Sequence, residues 1–146
     1  MAVMFRDLGM LRRAAEVSPA AETLLLSPQA PIVLVPKRAA AGLAESVAPG
    51  NPWVGALLPS APLHLRLLAA VDRPLIATSA NLSGQPTCRS GIDVFGTMDG
   101  RIDLVLDGGL CTNTGATTVD ITEPYWRVIK EGAVSEKEIG ECLKGS

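Results

Sequence analysis

The chain has 146 residues, of which 47% are hydrophobic and 19% charged, and its formal net charge at pH 7 is −2. This length predicts one domain with its own core and is too short for two ordinary ones, so we expect a single domain over residues 1–146. The small negative charge gives no overall attraction to a polyanion, and the tight basic clusters are Arg12-Arg13 and Lys37-Arg38.

Targeting signals and metal frameworks are missing from the sequence. Apolar runs stop well short of the ~20 residues that a membrane-spanning helix needs. The opening MAVMFRDLGM lacks the long apolar stretch of a signal peptide. The three cysteines, Cys88, Cys111 and Cys142, are widely spaced, and the chain has a single histidine. We therefore expect a cytoplasmic protein with no membrane contact, no disulfide framework and no protein-bound structural metal.

The first half of the chain predicts helices and strands in alternation. Asp7 caps a first helix, and residues 18–26 form a second helix with serine as its cap and proline at its first position. The continuous apolar run PIVLVP, 31–36, predicts a buried strand. Residues 53–58 predict another strand, and the spacing of apolar residues over 61–71 predicts a helix.

Strands dominate the second half of the chain. Apolar runs predict strands over 74–79, 102–109, 116–121 and 126–130. The last element is a helix to about Leu143, because Ser135 and Glu138 form an S-x-x-E capping box and Val134 and Ile139 are placed as a hydrophobic staple. This order predicts an α/β fold with a mixed sheet covered by helices, rather than a purely parallel doubly wound one.

The stretch ATSANLSGQP, 77–86, gathers four small polar side chains directly after a predicted strand: Thr78, Ser79, Asn81 and Ser83. Such residues close their own turn through local hydrogen bonds to the backbone, which is one interpretation. The other is a nucleotide-binding surface, because hydroxyls and backbone N–H groups bond phosphate and ribose oxygens without titrating. Asp107-Gly108-Gly109 and Thr117-Thr118 would extend that surface, and the residues alone leave both interpretations open.

Standard catalytic motifs are absent from the sequence, which contains no G-x-x-x-x-G-K-[ST], G-x-G-x-x-G, H-E-x-x-H or G-x-S-x-G. A hydrolytic triad would need His64, which falls in a helix pattern that favours a structural histidine. Asp103, Asp107 and Asp120 flank predicted strands, but nothing in the sequence brings two of them together as an acid and base pair. No residue is therefore assigned a catalytic role.

The stretch ATSANLSGQP resembles the S-x-N signature of the YrdC-like family, the threonylcarbamoyl-AMP synthases. AVMF, LPSAPLH, LVLDGG, ATTVDIT and WRVIKEGAVS lie in the family's order, so the resemblance covers nearly the whole chain. It implies a twisted mixed sheet flanked by helices, with a concave face near Ser79 and Asn81. In the family an opening strand and helix and a Lys-x-Arg motif precede AVMF, and the sequence given has neither. We therefore expect an N-terminally truncated YrdC-like domain.

The resemblance implies one of two adenylate-forming activities. PIVLVPKRAAAGLAESVAPGN with LLPSAPLH is more similar to the YrdC-like domain of the carbamoyltransferase HypF, which makes a carbamoyl adenylate from carbamoyl phosphate and ATP in hydrogenase maturation. ATTVDITEPYWRVIKEGAVS is closer to the free-standing synthases, in which ATP, bicarbonate and L-threonine give threonylcarbamoyl-AMP for tRNA modification. A stand-alone domain favours this nucleotidyltransferase-like activity, with Mg²⁺ accompanying ATP. Double-stranded RNA binding without catalysis is a third alternative.

For the site, the resemblance implies that Ser79 and Asn81 contact the nucleotide. Further nucleotide-binding candidates are Thr78, Ser83, Thr117 and Lys130. Lys130 stands where the family has an arginine, and lysine lacks the planar fork that holds a phosphate or carboxylate in two places. Ala116 stands where the family has a serine, which removes a hydroxyl.

The lack of a Lys-x-Arg motif predicts weak binding of ATP, with an inactive relative as the alternative. Arg6 and Lys37 are the candidates to replace the missing cations. The lack of the opening strand and helix predicts an unpaired sheet edge or an apolar surface, which a second copy of the chain would cover in a homodimer.

Overall fold

The structure of this chain is a computed structural model that describes residues 1–39, 42–112 and 115–144. The chain divides into two compact units. Unit 1 comprises Met1–Ala77 and Ala116–Ser146, and unit 2 comprises Thr78–Gly115. The sequence predicts a single domain over 1–146, and that assignment stays a prediction.

Unit 1 contains a mixed sheet of six strands within the described residues. The strands are β1 (Ala2–Met4), β2 (Ile32–Pro36), β3 (Trp53–Leu57), β4 (Leu75–Ala77), β5 (Thr118–Asp120) and β6 (Arg127–Lys130). Their order across the sheet is β4-β1-β3-β2-β5-β6. β1 is parallel to β3 and β2 is parallel to β5, whereas the other three pairs are antiparallel. The predicted α/β fold with a mixed sheet is confirmed.

The described residues form five α-helices, and four of them begin beside a residue whose side chain caps the helix. They are α1 (Leu8–Ala14), α2 (Pro19–Leu26), α3 (Pro62–Val71), α4 (Gly91–Met98) and α5 (Glu136–Lys144), with a 3-10 turn at Glu45–Val47. Asp7 accepts a hydrogen bond from the Met10 N–H (2.7 Å) at the start of α1, and Ser18 caps α2. None of these helices is both long enough and apolar enough to cross a membrane.

The predicted capping box at the start of α5 is confirmed. The Ser135 N–H donates to Glu138 Oε2 (2.8 Å), and the Glu138 N–H donates back to Ser135 Oγ (3.4 Å). The Ser135 hydroxyl, which also donates to Glu138 Oε2 (2.6 Å), and the Ser135 N–H hold the pKa of Glu138 below its usual range. Val134 and Ile139, the predicted staple, are both buried.

The core of unit 1 lies against one face of the sheet. Alternate strand residues point to the same face, and those of the core face are buried: Val3, Val33, Val35, Val54, Ala56 and Val119. Leu11 of α1, Leu24 of α2 and Ile139 of α5 belong to the same apolar cluster. The helices therefore cover the face that carries these small apolar residues.

The strand over 31–36 is buried on one face only, which differs from its prediction as a continuously buried strand. Val33 and Val35 are fully buried, whereas Ile32 and Leu34 are half-buried. Ile32 and Leu34 point to the face opposite the apolar cluster of α1, α2 and α5. An unbroken apolar run thus does not by itself show that both faces of a strand are covered.

Two elements were missed and one predicted strand is wrong. β1 is only three residues long, and α4 follows its cap Ser90, whose Oγ accepts from the Asp93 N–H (3.2 Å). Residues 102–109 form no strand, although their apolar pattern predicts one. A strand requires a partner for its backbone groups, and no other strand of the described chain pairs with this segment.

Thr117 connects the sheet to the turn that leads into α5. Its hydroxyl donates to the Val134 carbonyl (2.6 Å) and accepts from the N–H groups of Gly132 (3.0 Å) and Val134 (3.1 Å). Thr117 is buried. One side-chain oxygen thus satisfies three backbone groups.

Replacing Thr117 with valine should lower the free energy of unfolding by about 2–4 kcal/mol, because a near-isosteric methyl leaves buried backbone groups without a partner. Urea denaturation followed by circular dichroism measures the change. Thr117→Ser keeps the hydroxyl and should cost about 1 kcal/mol or less. Equal losses in the two variants would show that the methyl group, and not the hydroxyl, stabilises this turn.

Asp120, at the end of β5, is a buried carboxylate that accepts four hydrogen bonds. Its Oδ1 accepts from the backbone N–H (3.0 Å) and hydroxyl (2.7 Å) of Thr122, and its Oδ2 accepts from Nε (3.0 Å) and Nη2 (2.7 Å) of Arg127. Burial raises the pKa of Asp120, but the bonds from Thr122 and the charge of Arg127 outweigh burial and lower that pKa overall.

Because the folded-state pKa of Asp120 lies below the unfolded value of about 3.9, its ionised form stabilises the fold at neutral pH. This stabilisation should disappear as the pH falls through the folded-state pKa. Asp120→Asn should therefore lower the free energy of unfolding at pH 7 by about 1–3 kcal/mol, and by less in acid. Urea titrations at both pH values measure this difference.

Arg127 provides the control, because its side chain is 66% exposed. Arg127→Met should cost less than Asp120→Asn, since exposed ion pairs contribute about 0–1 kcal/mol. A loss for Asp120→Asn that stays constant from neutral to acid pH would contradict the assignment of Asp120 as the titrating group.

Candidate functional site

The polar loop predicted as the site begins unit 2, immediately after β4. Thr78, Ser79 and Ser83 are exposed, and their hydroxyls have no hydrogen-bond partner among the residues that the structure describes. The loop is held by its own backbone: the Asn81 N–H donates to the Ser79 carbonyl (3.1 Å) and the Cys88 N–H to the Ala80 carbonyl (2.8 Å). The loop therefore presents three hydroxyls on an internally bonded turn.

Asn81 holds this turn through its side-chain amide. Nδ2 donates to the carbonyls of Leu82 (2.9 Å) and Gln85 (3.1 Å), which accounts for both of its N–H groups. Oδ1 is buried and has no hydrogen-bond partner within the described chain. The orientation of the amide is fixed by this network, because the opposite one would place Oδ1 against two carbonyl oxygens.

The hydrogen bonds of Asn81 determine which ligand groups it can contact. An amide whose N–H groups are both bonded to carbonyls has no donor left for a phosphate oxygen. The remaining group, Oδ1, accepts hydrogen bonds and repels anions, so its complement is an N–H or O–H donor. A buried acceptor without a donor is uncommon in folded proteins and destabilises them by about 1–3 kcal/mol. Asn81 thus combines a turn-stabilising amide with one unsatisfied acceptor.

Asp107 supports a second turn of unit 2. Its Oδ1 accepts from the Gly109 N–H (2.9 Å). Its Oδ2 lies so close to Gly91, the first residue of α4, that a Cβ there would be 2.4 Å away. A larger residue at position 91 would therefore require the Asp107 side chain to move. The carboxylate also lies at a helix N-terminus, where a negative charge is stabilised.

Within the described parts of the chain, the candidate carboxylates Asp107 and Asp120 are not hydrogen-bonded to each other. Asp120 is bonded to Thr122 and Arg127, and Asp107 to Gly109. Among the described residues, no group of three or more His, Cys, Asp or Glu side chains is arranged to hold a metal ion.

Two predicted site residues lie in unit 1, whereas the four loop residues lie in unit 2. Thr117 is buried, and its hydroxyl is bonded to the backbone of the turn before α5, so the structure gives this residue a structural role. Lys130 is exposed and lies on the edge strand β6, opposite Thr118 of β5. The structure thus groups Thr78, Ser79, Asn81 and Ser83 in one loop of unit 2, whereas Thr117 and Lys130 belong to unit 1.

The two cations proposed as replacements for a Lys-x-Arg motif already have protein partners. Arg6 donates to Asp7 (2.9 Å) and also pairs with Asp72. Its hydrogen bond to Asp7 and the charge of Asp72 raise the pKa of Arg6. Lys37 donates through Nζ to the Ala48 carbonyl (2.9 Å). Neither side chain is an unpaired cation that could take the place of that motif.

Arg6 also lines a shallow pocket of unit 1 that the sequence did not reveal. The pocket measures about 500 Å³ and is lined by Arg6, Asp7, Leu8, Gly9, Leu25, Leu26, Ser27, Ala30, Leu58, Pro59 and Ser60. It lies where the parallel strands β1 and β3 end. The signal available in the sequence was the polar break after each apolar run, at Arg6-Asp7 and at Pro59-Ser60. None of the predicted nucleotide-binding residues lines this pocket.

Curated relatives of the chain fall into two groups of enzymes. The carbamoyltransferase HypF of Synechocystis sp. is 39% identical over 110 residues, which cover 75% of this chain and 14% of that protein. The threonylcarbamoyl-AMP synthase of Pyrococcus abyssi is 31% identical over 96 residues, which cover 64% of this chain and 28% of the synthase. The chain therefore spans less than a third of the length of each of these relatives.

Solved structures from both groups share the fold. P. abyssi Sua5 complexed with L-threonine superimposes with a TM-score of 0.87 at 25% identity, covering 97% of this chain and 42% of that chain. Full-length HypF in its phosphate- and nucleotide-bound form gives 0.83 at 30% identity, covering 90% of this chain and 21% of that chain. These similarities confirm the fold that the resemblance implied.

The family model for Sua5, YciO and YrdC proteins, described as "Telomere recombination", matches residues 1–132. The match includes the ATSANLSGQP loop and all six strands of the described sheet. The resemblance drawn from that loop is confirmed. The chain therefore belongs to the Sua5/YciO/YrdC family.

Proposed function

We propose that the chain is a nucleotide-binding YrdC-like domain of the threonylcarbamoyl-AMP synthase type. In the proposed reaction ATP, bicarbonate and L-threonine give threonylcarbamoyl-AMP, pyrophosphate and water, and the product serves tRNA modification. The observation that carries the proposal is the loop after β4, where an unsatisfied acceptor, Asn81 Oδ1, lies in the same turn as three exposed hydroxyls. The structural neighbour bound to L-threonine supports it.

The loop offers different groups to different parts of the ligands. The hydroxyls of Thr78, Ser79 and Ser83 donate to phosphate or ribose oxygens, as neutral donors do in many phosphate sites. Asn81 Oδ1 is buried in this structure, so it accepts from a ligand N–H or O–H only when the turn opens to the ligand. ATP supplies such donors through its ribose and adenine, and L-threonine through its ammonium and hydroxyl groups. Mg²⁺ enters with ATP as part of the substrate, and no residue of this loop is assigned as its ligand.

ATP binding by this chain should be weak. Neutral hydrogen bonds contribute about 0.5–1.5 kcal/mol each, whereas bonds from cations contribute about 1.5–3 kcal/mol. Arg6 and Lys37 are bonded to other parts of the protein, which leaves Lys130 as the cation proposed to face the phosphates.

A carbamoyl-adenylate-forming activity of the HypF type is the second candidate. The higher identity to HypF, 39% against 31% for the P. abyssi synthase, favours it.

The double-stranded RNA alternative gains no comparable support. Two cations of the basic clusters are bonded within the protein, Arg12 to Glu22 and Arg38 to the carbonyls of Arg12 and Ala15. Binding of RNA phosphates requires clustered cations that are available to the ligand.

Pyrophosphate release separates the two adenylate-forming activities. With Mg²⁺ and ATP, release that requires both L-threonine and bicarbonate is the expected result. Release that requires carbamoyl phosphate would instead assign the chain to the HypF type. The control is the Ser79→Ala variant, which should lower the rate in whichever condition is productive. No release in either condition would contradict catalysis by this chain.

Ser79→Ala is the sharper test of nucleotide binding, because the exposed Ser79 hydroxyl has no partner in the described chain. Its loss should weaken ATP binding about 2–10-fold, the equivalent of one neutral hydrogen bond. Stability should change by less than about 0.5 kcal/mol. Isothermal titration calorimetry and thermal denaturation measure the two effects.

Asn81→Ala should differ from Ser79→Ala by lowering both the stability of the fold and the affinity for ATP. The structure gives the Asn81 amide two hydrogen bonds to the turn, so we expect lower stability as well as the loss of ATP binding. Unchanged ATP affinity in both variants would show that the loop is only a structural turn.

A further inference from the structure

Residues 102–106 of unit 2, Ile-Asp-Leu-Val-Leu, combine the sequence pattern of a strand with high exposure. Ile102, Leu104 and Leu106 recur at every second position, the period of a strand. Their exposed fractions are 37%, 80% and 58%. Large apolar side chains in this pattern are normally buried against another element, so their exposure requires an explanation.

The backbone of this segment is also unpaired. No backbone hydrogen bond joins residues 102–106 to any other described residue, although the chain is bonded on either side, at Arg101 to Met98 and at Cys111 to Arg89. Exposed N–H and C=O groups along a strand-like sequence are a template for pairing with another strand. The backbone bends at Ile102 and Asp103, so pairing requires these two residues to become extended.

The segment is complementary to itself in an antiparallel arrangement. If two copies pair with Leu104 opposite Leu104, each Ile102 lies opposite Leu106, and each Arg101 lies opposite Asp107. Apolar and opposite-charge pairs directly across an antiparallel ribbon both stabilise it. The Arg101 side chain has no partner among the described residues, and the Gly109 N–H occupies only Oδ1 of Asp107. Arg101 is therefore available for the pair, and Asp107 contributes Oδ2, which lies beside Gly91 and accepts no hydrogen bond within the described chain.

We infer that residues 101–107 form an antiparallel two-stranded ribbon with the same segment of a second copy of this chain. The contact is symmetric, since each copy contributes the same residues, and such contacts close as dimers. The inference concerns an interaction surface of unit 2 and is independent of the proposed reaction.

The two edge strands of the sheet are poorer candidates for self-pairing. In β6, antiparallel pairing with a second copy would place Arg127 opposite Lys130, and like charges in that position are destabilising. β4 has only three residues, of which Ile76 is the exposed apolar one. The charge pattern thus favours 101–107 over β6, and the length favours it over β4.

The apolar area available to unit 2 is consistent with a dimer contact. A stable interface takes roughly 800 Å² from each partner, more than a single five-residue strand supplies. Ile92, Phe95 and Leu110 of the same unit are also more than half exposed. These side chains are available to extend the contact beyond the ribbon.

Charge reversal tests the register of the ribbon. Sedimentation equilibrium of the whole chain over a wide concentration range should show a monomer–dimer equilibrium. Arg101→Asp alone places two carboxylates opposite each other twice per dimer and should weaken dimerisation about 10-fold or more. Asp107→Lys alone should do the same. A mixture of the two variants restores opposite charges at both sites, so a heterodimer should form with nearly the parental affinity. Arg66→Asp, on the exposed face of α3, is the matched control and should have no effect.

Leu104→Lys is a second test that does not depend on Asp107, whose replacement disturbs the turn at Gly109. It should abolish the dimer, whereas Ile129→Lys, at another exposed apolar site on β6, should leave it intact. Circular dichroism verifies that each variant is folded. A parental chain that stays monomeric, or a dimer that Leu104→Lys leaves unchanged, would overturn the inference. So would a dimer that Ile129→Lys abolishes, because it would place the contact on the sheet edge.

Discussion

The burial of Val33 and Val35 is the interaction on which the rest of unit 1 depends. Both belong to β2, which pairs with β3 on one side and with β5 on the other. Their side chains lie in the same apolar cluster as residues of α1, α2 and α5. One strand therefore joins the early and late parts of the chain, which are separated in sequence by unit 2. Loss of packing at these two valines would loosen both neighbouring strands and the three helices together.

Much of the local structure could be predicted because its causes lie within a few residues. Asp7, Ser18 and the Ser135 and Glu138 pair cap helices through contacts three residues away, and each was recognisable as a motif. The strands over 31–36, 53–57 and 127–130 were found from their apolar content. The segment 102–109 was predicted as a strand on the same basis and is not one, because pairing depends on a partner strand and the segment's own residues cannot show whether one is present.

The sequence indicated where the candidate site lies, but it did not indicate which hydrogen bonds its side chains make. The four polar side chains after β4 were identified as one cluster. Their spacing could not show that the Asn81 amide bonds Leu82 and Gln85 while Oδ1 stays unpaired. Nor could it show that the Thr117 hydroxyl is bonded to the turn before α5. These partners depend on how loops fold back in space. The structure shows the turn-forming role of Asn81, and the ligand surface stays a prediction.

The unpaired Oδ1 of Asn81 has a consequence for selectivity between similar ligands. Because the atom is shielded from water in this structure, a ligand of the proposed site would reach it only when the turn opens, and its donor would then gain a hydrogen bond without displacing a hydrating water. An analogue in which that donor is replaced by a methyl group or an ether oxygen gains nothing, and water cannot easily compensate. Sites built around buried polar groups reject such analogues more strongly than apolar pockets reject a change in size. Asn81 would thus distinguish ligands by the presence of one proton rather than by their shape.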